Sequence, residues 1–306
     1  MRLTILRSIF LTFLTQPFVI AQDRAVTRHP VEKEARESVG EKEKTEFLRI
    51  RRDDMGQPIA LETAIAKYVS GPKSKYPGVE VDLVGAVHIG GRDYYDDLNR
   101  RFRGYDSVLY ELVAEEGTRV TPDQAKGGRS PVSALQVGMK DLLELEFQLE
   151  KIDYQAKNLQ HADMTPQEFA KDMENRGDSM VQTLFRMMGA GLAMQASGNG
   201  GDAGLLLALL APDRTRQLRR AMANQFQEME ATTIGMAGED GKSTLITERN
   251  GKAFKVLEQE LNAGKRKVAV FYGAGHLPDM ATRLECDFGL QSAVDQTEYL
   301  EAWNLR

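Results

Sequence analysis

The chain has 306 residues, with 45 acidic against 40 basic side chains for a net charge of −5, and a single cysteine. That mild acidity excludes the basic footprint of a nucleic-acid-binding surface, and Cys286 alone excludes an internal disulfide. The length suffices for one large hydrophobic core, and after the N-terminal segment no 18-residue apolar run marks a membrane span.

Residues 1–21 read as a signal peptide. Arg2 and Arg7 form a basic start, 9–20 is apolar apart from Thr12, Thr15, Gln16 and Pro17, and Val19-Ile-Ala21 is a small-residue cleavage signal. The apolar stretch is short for a bilayer helix of about 20 residues, so an exported chain, periplasmic or secreted, is expected, with an uncleaved anchor as the alternative. Cleavage would leave a soluble or peripheral protein with no integral membrane segment. In an oxidising compartment a lone thiol is tolerated mainly when buried, so burial is expected for Cys286. Residues 22–44, dominated by Arg, Glu and Lys, read as a disordered leader ahead of a single domain over 45–306.

Within that domain, 47–51 and the stretch from Pro58 predict a hairpin around Asp53-Asp-Met-Gly-Gln-Pro58, while 61–69 fits helix or strand equally. Residues 79–84 alternate and then turn wholly apolar, predicting a strand. Tyr94, Tyr95, Leu98 and Phe102 form a helical stripe, and 106–113 reads as the next strand. Strand, helix and strand in so short a span predict a βαβ unit with its two strands as parallel neighbours. The middle reads as helical: 142–154 is one expected helix, and Thr165-Pro-Gln-Glu168 carries the capping signature of another. Two apolar stretches, 180–194 and 205–210, flank a glycine-rich segment and read as a buried helical pair, with a lipid or ligand surface as the alternative. Helices over 213–231 and 248–261, a strand at 267–272, a short helix from Leu277 and an aromatic closing segment at 299–303 complete the reading. The fold class expected is α/β, with a mixed, mainly parallel sheet flanked by helices and a largely helical central insertion at about 130–235.

Two of the four histidines share one setting, a Gly-x-x-His at the end of an apolar strand: Gly85-Ala-Val-His88 and Gly273-Ala-Gly-His276. The C-terminal ends of strands are where open α/β sheets place their chemistry, and small residues there leave room for a ligand beside the imidazole. Glu111 interrupts the apolar run of its strand, which is costly unless the carboxylate is paired or bound to a metal. Two histidines and a carboxylate suit a catalytic zinc site and other divalent metals such as manganese or cobalt. The competing reading places Glu111 at a solvated sheet end, neutralising an arginine. Arg249 is a candidate for stabilising an oxyanion or holding a carboxylate. His161-Ala-Asp163 is a further possible ligand pair or an N-terminal support for the helix that follows. Glu144 and Glu146 are candidates to share proton transfer with Glu111. His-Glu-x-x-His, Gly-x-Ser-x-Gly and a strand-linked Gly-x-Gly-x-x-Gly are all absent.

Val84-Gly-Ala-Val-His-Ile-Gly90, Tyr105-Asp-Ser-Val-Leu-Tyr-Glu-Leu112, Glu248-Arg-Asn250 and Gly273-Ala-Gly-His-Leu277 together resemble the TraB/PrgY, GumN and Tiki group over about residues 79–289. The resemblance implies an α/β core similar to ChaN and the erythromycin esterases. It implies paired Gly-x-x-His motifs with functional Glu and Arg, here His88, His276, Glu111 and Arg249. Tiki members are described as metal-dependent proteases and PrgY members as inhibitors or degraders of peptide pheromone. An exported metal-dependent hydrolase acting on peptides or proteins is therefore expected, with His88, His276 and Glu111 on the metal and Glu111 and Arg249 catalytic. The alternative, from the haem and iron association of ChaN-like relatives, is a haem- or metal-binding protein without turnover.

Overall fold

The computed structural model describes residues 45–120, 142–176, 210–233 and 243–306. The expected signal peptide, the leader and the apolar stretch 180–194 lie outside them, as does 205–210 except for Leu210, which is exposed.

Strands β1 (Leu48–Arg52) and β2 (Pro58–Ser70) form the expected antiparallel hairpin. Asp53 builds its turn by accepting the Met55 and Gln57 N–H groups at 3.0 and 2.8 Å, and Gly56 supplies a φ of 77°. The stretch that fitted helix or strand is the body of β2. It is buried almost continuously, so no polar face imposes a period on its sequence.

Next come β3 (Glu80–Ala86), β4 (Ile89–Gly90), helix α1 (Arg92–Phe102) and β5 (Ser107–Tyr110). The expected stripe of α1, Tyr94, Tyr95, Leu98 and Phe102, is its buried face. The expectation that β3 and β5 are neighbours is corrected: β8 (Lys267–Gly273) lies between them, parallel to both, with Val81 opposite Val268 and Val108 opposite Ala269. Residues 268–272 of β8 are all buried, and the strand most apolar on both faces takes the middle of the sheet. On the far side of β5 lies β7 (Leu159–His161), also parallel. Strands β9 (Leu290–Ser292) and β10 (Glu298–Asn304) pair antiparallel with β2. The result is an α/β fold, a mixed sheet with the path β1-β2-β3-β8-β5-β7 and a parallel centre, flanked by helices.

The single helix expected over 142–154 is corrected as well. Glu144 takes a φ of 50°, β6 (Glu146–Phe147) pairs with β4, and only the four-residue α2 (Gln148–Lys151) is helical beyond it. The apolar residues Leu143, Leu145, Phe147 and Leu149 are spaced by two, a strand's period rather than a helix's. Helix α3 (Pro166–Asn175) has its full capping box: Thr165 Oγ1 accepts the Glu168 N–H at 3.1 Å and Glu168 accepts the Thr165 N–H at 2.8 Å. Helix α4 (Arg214–Thr233) follows, then a π-helical turn (Thr244–Glu248) running into α5 (Arg249–Asn262). Helix α6 (Leu277–Cys286) follows β8 through one 3-10 turn. Cys286, at its end, is exposed, contrary to the burial expected of a lone thiol. Among the described residues no helix is long and apolar enough to cross a membrane.

Candidate active site

The four parallel strands end at one edge of the sheet, and each delivers polar groups there. His88 follows β3, His276 follows β8, Glu111 follows β5, and His161 and Asp163 lie at the end of β7. The pairings Ala86–Gly273, Tyr110–Phe271 and Tyr110–His161 put these ends at similar heights. Beyond this edge the chain leaves β8 through α6 toward β9 and β2, but leaves β5 toward β7. Neighbouring strands whose connections diverge in this way open a crevice between their C-terminal ends. Glu111 and Gly273 stand at the ends of these two strands, joined by a hydrogen bond.

The first Gly-x-x-His corner is braced along its backbone. Tyr94 donates its hydroxyl to the Gly85 carbonyl at 2.8 Å and Tyr95 to the Val87 carbonyl at 2.9 Å. The Gln148 N–H donates to the His88 carbonyl at 2.9 Å, and the Trp303 indole donates to the Ile89 carbonyl at 2.7 Å. A Cβ on Gly85 would come within 3.2 Å of the Phe47 carbonyl oxygen and the Thr63 side chain, so glycine suits the close approach of the chain here. The His88 side chain itself is exposed.

The second corner is buried and carries the ion pairs. Glu111 accepts from Arg249 Nη2 at 2.6 Å through Oε1 and from the Gly273 N–H at 2.8 Å through Oε2. Gly273 leaves room for that second contact, because a Cβ there would crowd Oε2 at 3.2 Å. Arg249 grips Asp163 with two bonds, Nε to Oδ1 at 3.0 Å and Nη2 to Oδ2 at 2.6 Å. His276 brings Nε2 to 3.6 Å from Glu111 Oε1, while its Nδ1 lies 2.7 Å from Asn250 Oδ1. The Tyr272 ring meets the His276 ring edge-on. Asp163 is fully buried, and Glu111, Arg249 and His276 are at most 13% exposed.

Burial alone would raise the Glu111 pKa, but the His276 and Arg249 charges and the Gly273 N–H outweigh it and hold the carboxyl at about 2. Burial also pushes His276 below its usual value, against the pull of Glu111. The imidazolium therefore forms only below its usual range, where its charge joins Arg249 and the Gly273 N–H in holding the proton off Glu111; above that range Arg249 and the Gly273 N–H remain. Asp163 and Glu111 in turn raise the Arg249 pKa against its desolvation. Two buried carboxylates thus share one guanidinium, leaving the trio one negative charge in excess.

The structure brings Glu111, Arg249 and His276 into contact and sets His88 on the same edge, exposed and outside that group of contacts. Among the described residues no three His, Cys, Asp or Glu side chains already form a metal-holding group. The donor chemistry of Glu111 and His276 nonetheless fits a divalent cation, with a carboxylate oxygen facing an imidazole nitrogen in a locally anionic setting. The alternative reading of Glu111 as neutralising an arginine is realised too, although at a largely buried position.

Asp163 does not support the helix after it, since Thr165 caps α3; its role is to hold Arg249. His161 Nε2 lies 2.6 Å from the Leu112 carbonyl oxygen, a structural bond. Glu144 is exposed and paired with Arg219, and Glu146 is paired with Lys151, so both are committed to partners near β6. Asn250 lies within the Glu248-Arg-Asn250 triplet but is not singled out as a site residue by the sequence reading. Beside the site, a cleft of about 320 Å³ opens between α3 and α5, lined in part by Met164, Glu248 and Gly251, the chain neighbours of Asp163, Arg249 and Asn250. Comparison with protein-family models, curated proteins and solved structures found no match.

Proposed function

We propose that the protein is an exported, metal-assisted hydrolase of peptides or proteins. The observation that supports this most is the meeting of Glu111 and His276 at a strand-end crevice with Arg249 beside them, in a cluster carrying uncompensated negative charge. Glu111 and His276 would hold the ion, with His88 as the third ligand from the exposed rim. A divalent ion bound there supplies activation of water and polarisation of a scissile carbonyl.

The chain's own residues divide the remaining work. With its pKa near 2, Glu111 has little tendency to accept a proton at neutral pH, so its part is that of a permanent anion rather than a general base. Arg249 is fixed by Asp163 and makes no hydrogen bond through Nη1 among the described residues, which leaves that donor for a carbonyl oxygen gaining negative charge. The cleft between α3 and α5 would give a substrate chain a place to lie against Met164, Glu248 and Gly251, the chain neighbours of the site residues.

Elemental analysis of the purified protein beside the double variant H88A/H276A, with peptide hydrolysis measured under zinc, manganese and cobalt, tests the reading. One bound equivalent and hydrolysis, both lost in the variant, support it. Unchanged metal content and activity in the variant overturn it, and a haem absorbance band on titration without any hydrolysis would favour a binding protein instead.

A further inference from the structure

We propose that Asn250 is a positioning residue that determines which imidazole nitrogen of His276 faces Glu111. Asn250 is fully buried near the start of α5. Its Nδ2 carries two hydrogens and both are used: one goes to the His276 carbonyl oxygen at 3.0 Å and one to Asp279 Oδ2 at 2.8 Å. Both partners are acceptors, so turning the amide over would set its oxygen against two other oxygens. The orientation of the amide is therefore dictated by hydrogen-bond chemistry.

Oδ1 is thus the atom that meets His276 Nδ1 at 2.7 Å. An amide oxygen cannot donate, so the hydrogen in that bond belongs to Nδ1. In a neutral imidazole only one nitrogen bears hydrogen, and Nε2 then turns a bare lone pair toward Glu111 Oε1, 3.6 Å away. Asp279 is held in its turn, because Arg283 Nε donates to the same Oδ2 at 2.7 Å while Arg283 Nη2 donates to the Thr247 carbonyl at 2.9 Å. The chain of bonds Arg283, Asp279, Asn250, His276 couples α6 to the π-helical turn ahead of α5, and the Tyr272 ring bounds the imidazole from another side.

The assignment deepens the hydrolase reading, and its catalytic consequence rests on that reading: the nitrogen aimed at Glu111 is the one left free to bind an ion. A partner on the remote nitrogen of a ligating histidine fixes its tautomer and orientation, and losing it typically costs about 10–100-fold in metal affinity.

The test is nitrogen-15 NMR of labelled histidine in the full chain without added metal, comparing wild type, N250L and D279N. In D279N the new amide oxygen still accepts from Asn250 Nδ2 and Arg283 Nε, so Asn250 keeps its orientation. Wild type and D279N are expected to show His276 protonated at Nδ1 and bare at Nε2, whereas N250L moves the hydrogen to Nε2. Zinc affinity should fall about 10–100-fold in N250L and stay within a few-fold of wild type in D279N. An Nε2-protonated wild type, or N250L with the wild-type tautomer, overturns the proposal. If N250L does not fold, D279N still decides: loss of the Nδ1-protonated form there overturns it. If the tautomer follows Asn250 while H88A/H276A binds zinc as wild type does, the hydrolase reading fails and the positioning role stands.

Discussion

Replacing Glu111 by glutamine keeps the side chain's shape and removes its charge, so the pH dependence of the loss reports how the fold holds that charge. The carboxyl titrates at about 2 in the folded protein against 4.5 unperturbed, and each pKa unit is worth about 1.4 kcal/mol. A depressed acid contributes stability above its unfolded pKa and loses it as pH falls toward the folded one. For these two values the contribution is about 3 kcal/mol at pH 7, about 1.4 kcal/mol at pH 3, and small at pH 2. Glu111 is only 13% exposed, so solvent screening removes little of it. Urea denaturation of wild type and E111Q at pH 7, 4 and 3 should therefore give a stability difference that shrinks by about 2 kcal/mol between pH 7 and 3, mostly below pH 4. A difference that stays constant over that range, or one already lost around pH 4.5, refutes the account of Glu111 as an anion held by the His276 and Arg249 charges and the Gly273 N–H.

His276 carries the opposite signature. Burial lowers its pKa from 6.5, so the unfolded chain takes up a proton that the fold resists, and wild type should lose more stability than H276Q as pH falls through 6.5 in paired denaturant melts. G273A forces a Cβ against Glu111 Oε2 and should cost about 1–3 kcal/mol in thermal unfolding, with the Glu111 titration moved upward. R249M leaves Glu111 and Asp163 without their cation and should cost about 3–5 kcal/mol by urea unfolding. R249K should rescue it only in part, since one ammonium cannot form the two-pronged grip on Asp163. T165A removes the α3 cap and should cost about 1 kcal/mol in the same assay, leaving the tautomer of His276 unchanged.

Local signals carried most of the elements. The Asp53–Gly56 turn, the α1 stripe, the α3 capping box and the two glycine-rich corners each depend on residues within one turn or one strand, and each takes its expected form. What sequence reading missed is non-local. The insertion of β8 between β3 and β5 depends on a competition among apolar strands distant in the chain, and nothing in 79–113 announces a partner at 267–273. The break at Glu144 was visible in the two-residue spacing of 143–149, but the surrounding helical pattern masked it. Of the site, Glu111 and His276 stand out because a charge or an imidazole interrupts an apolar or glycine-rich context, whereas Arg249 sits in a polar run that scarcely separates it from the chain's other arginines. Asp163 and Asn250 do not stand out either, since Asp and Asn beside a helix start read equally well as turn and capping residues. Their roles follow from a fold that brings β7, α5 and α6 to the same strand ends.

The place of β8 also bears on when the protein becomes itself. The strand at the centre of the sheet leaves the ribosome long after its two neighbours, which precede it by well over a hundred residues, a long-range arrangement that slows folding and leaves earlier segments waiting for their partners. Until residues 267–276 arrive, β3 and β5 have no strand to join them, Glu111 lacks the Gly273 N–H, and His276 does not yet exist. A growing chain that has not yet reached residue 276 therefore has no assembled site, and whatever chemistry these strand ends perform is withheld until then.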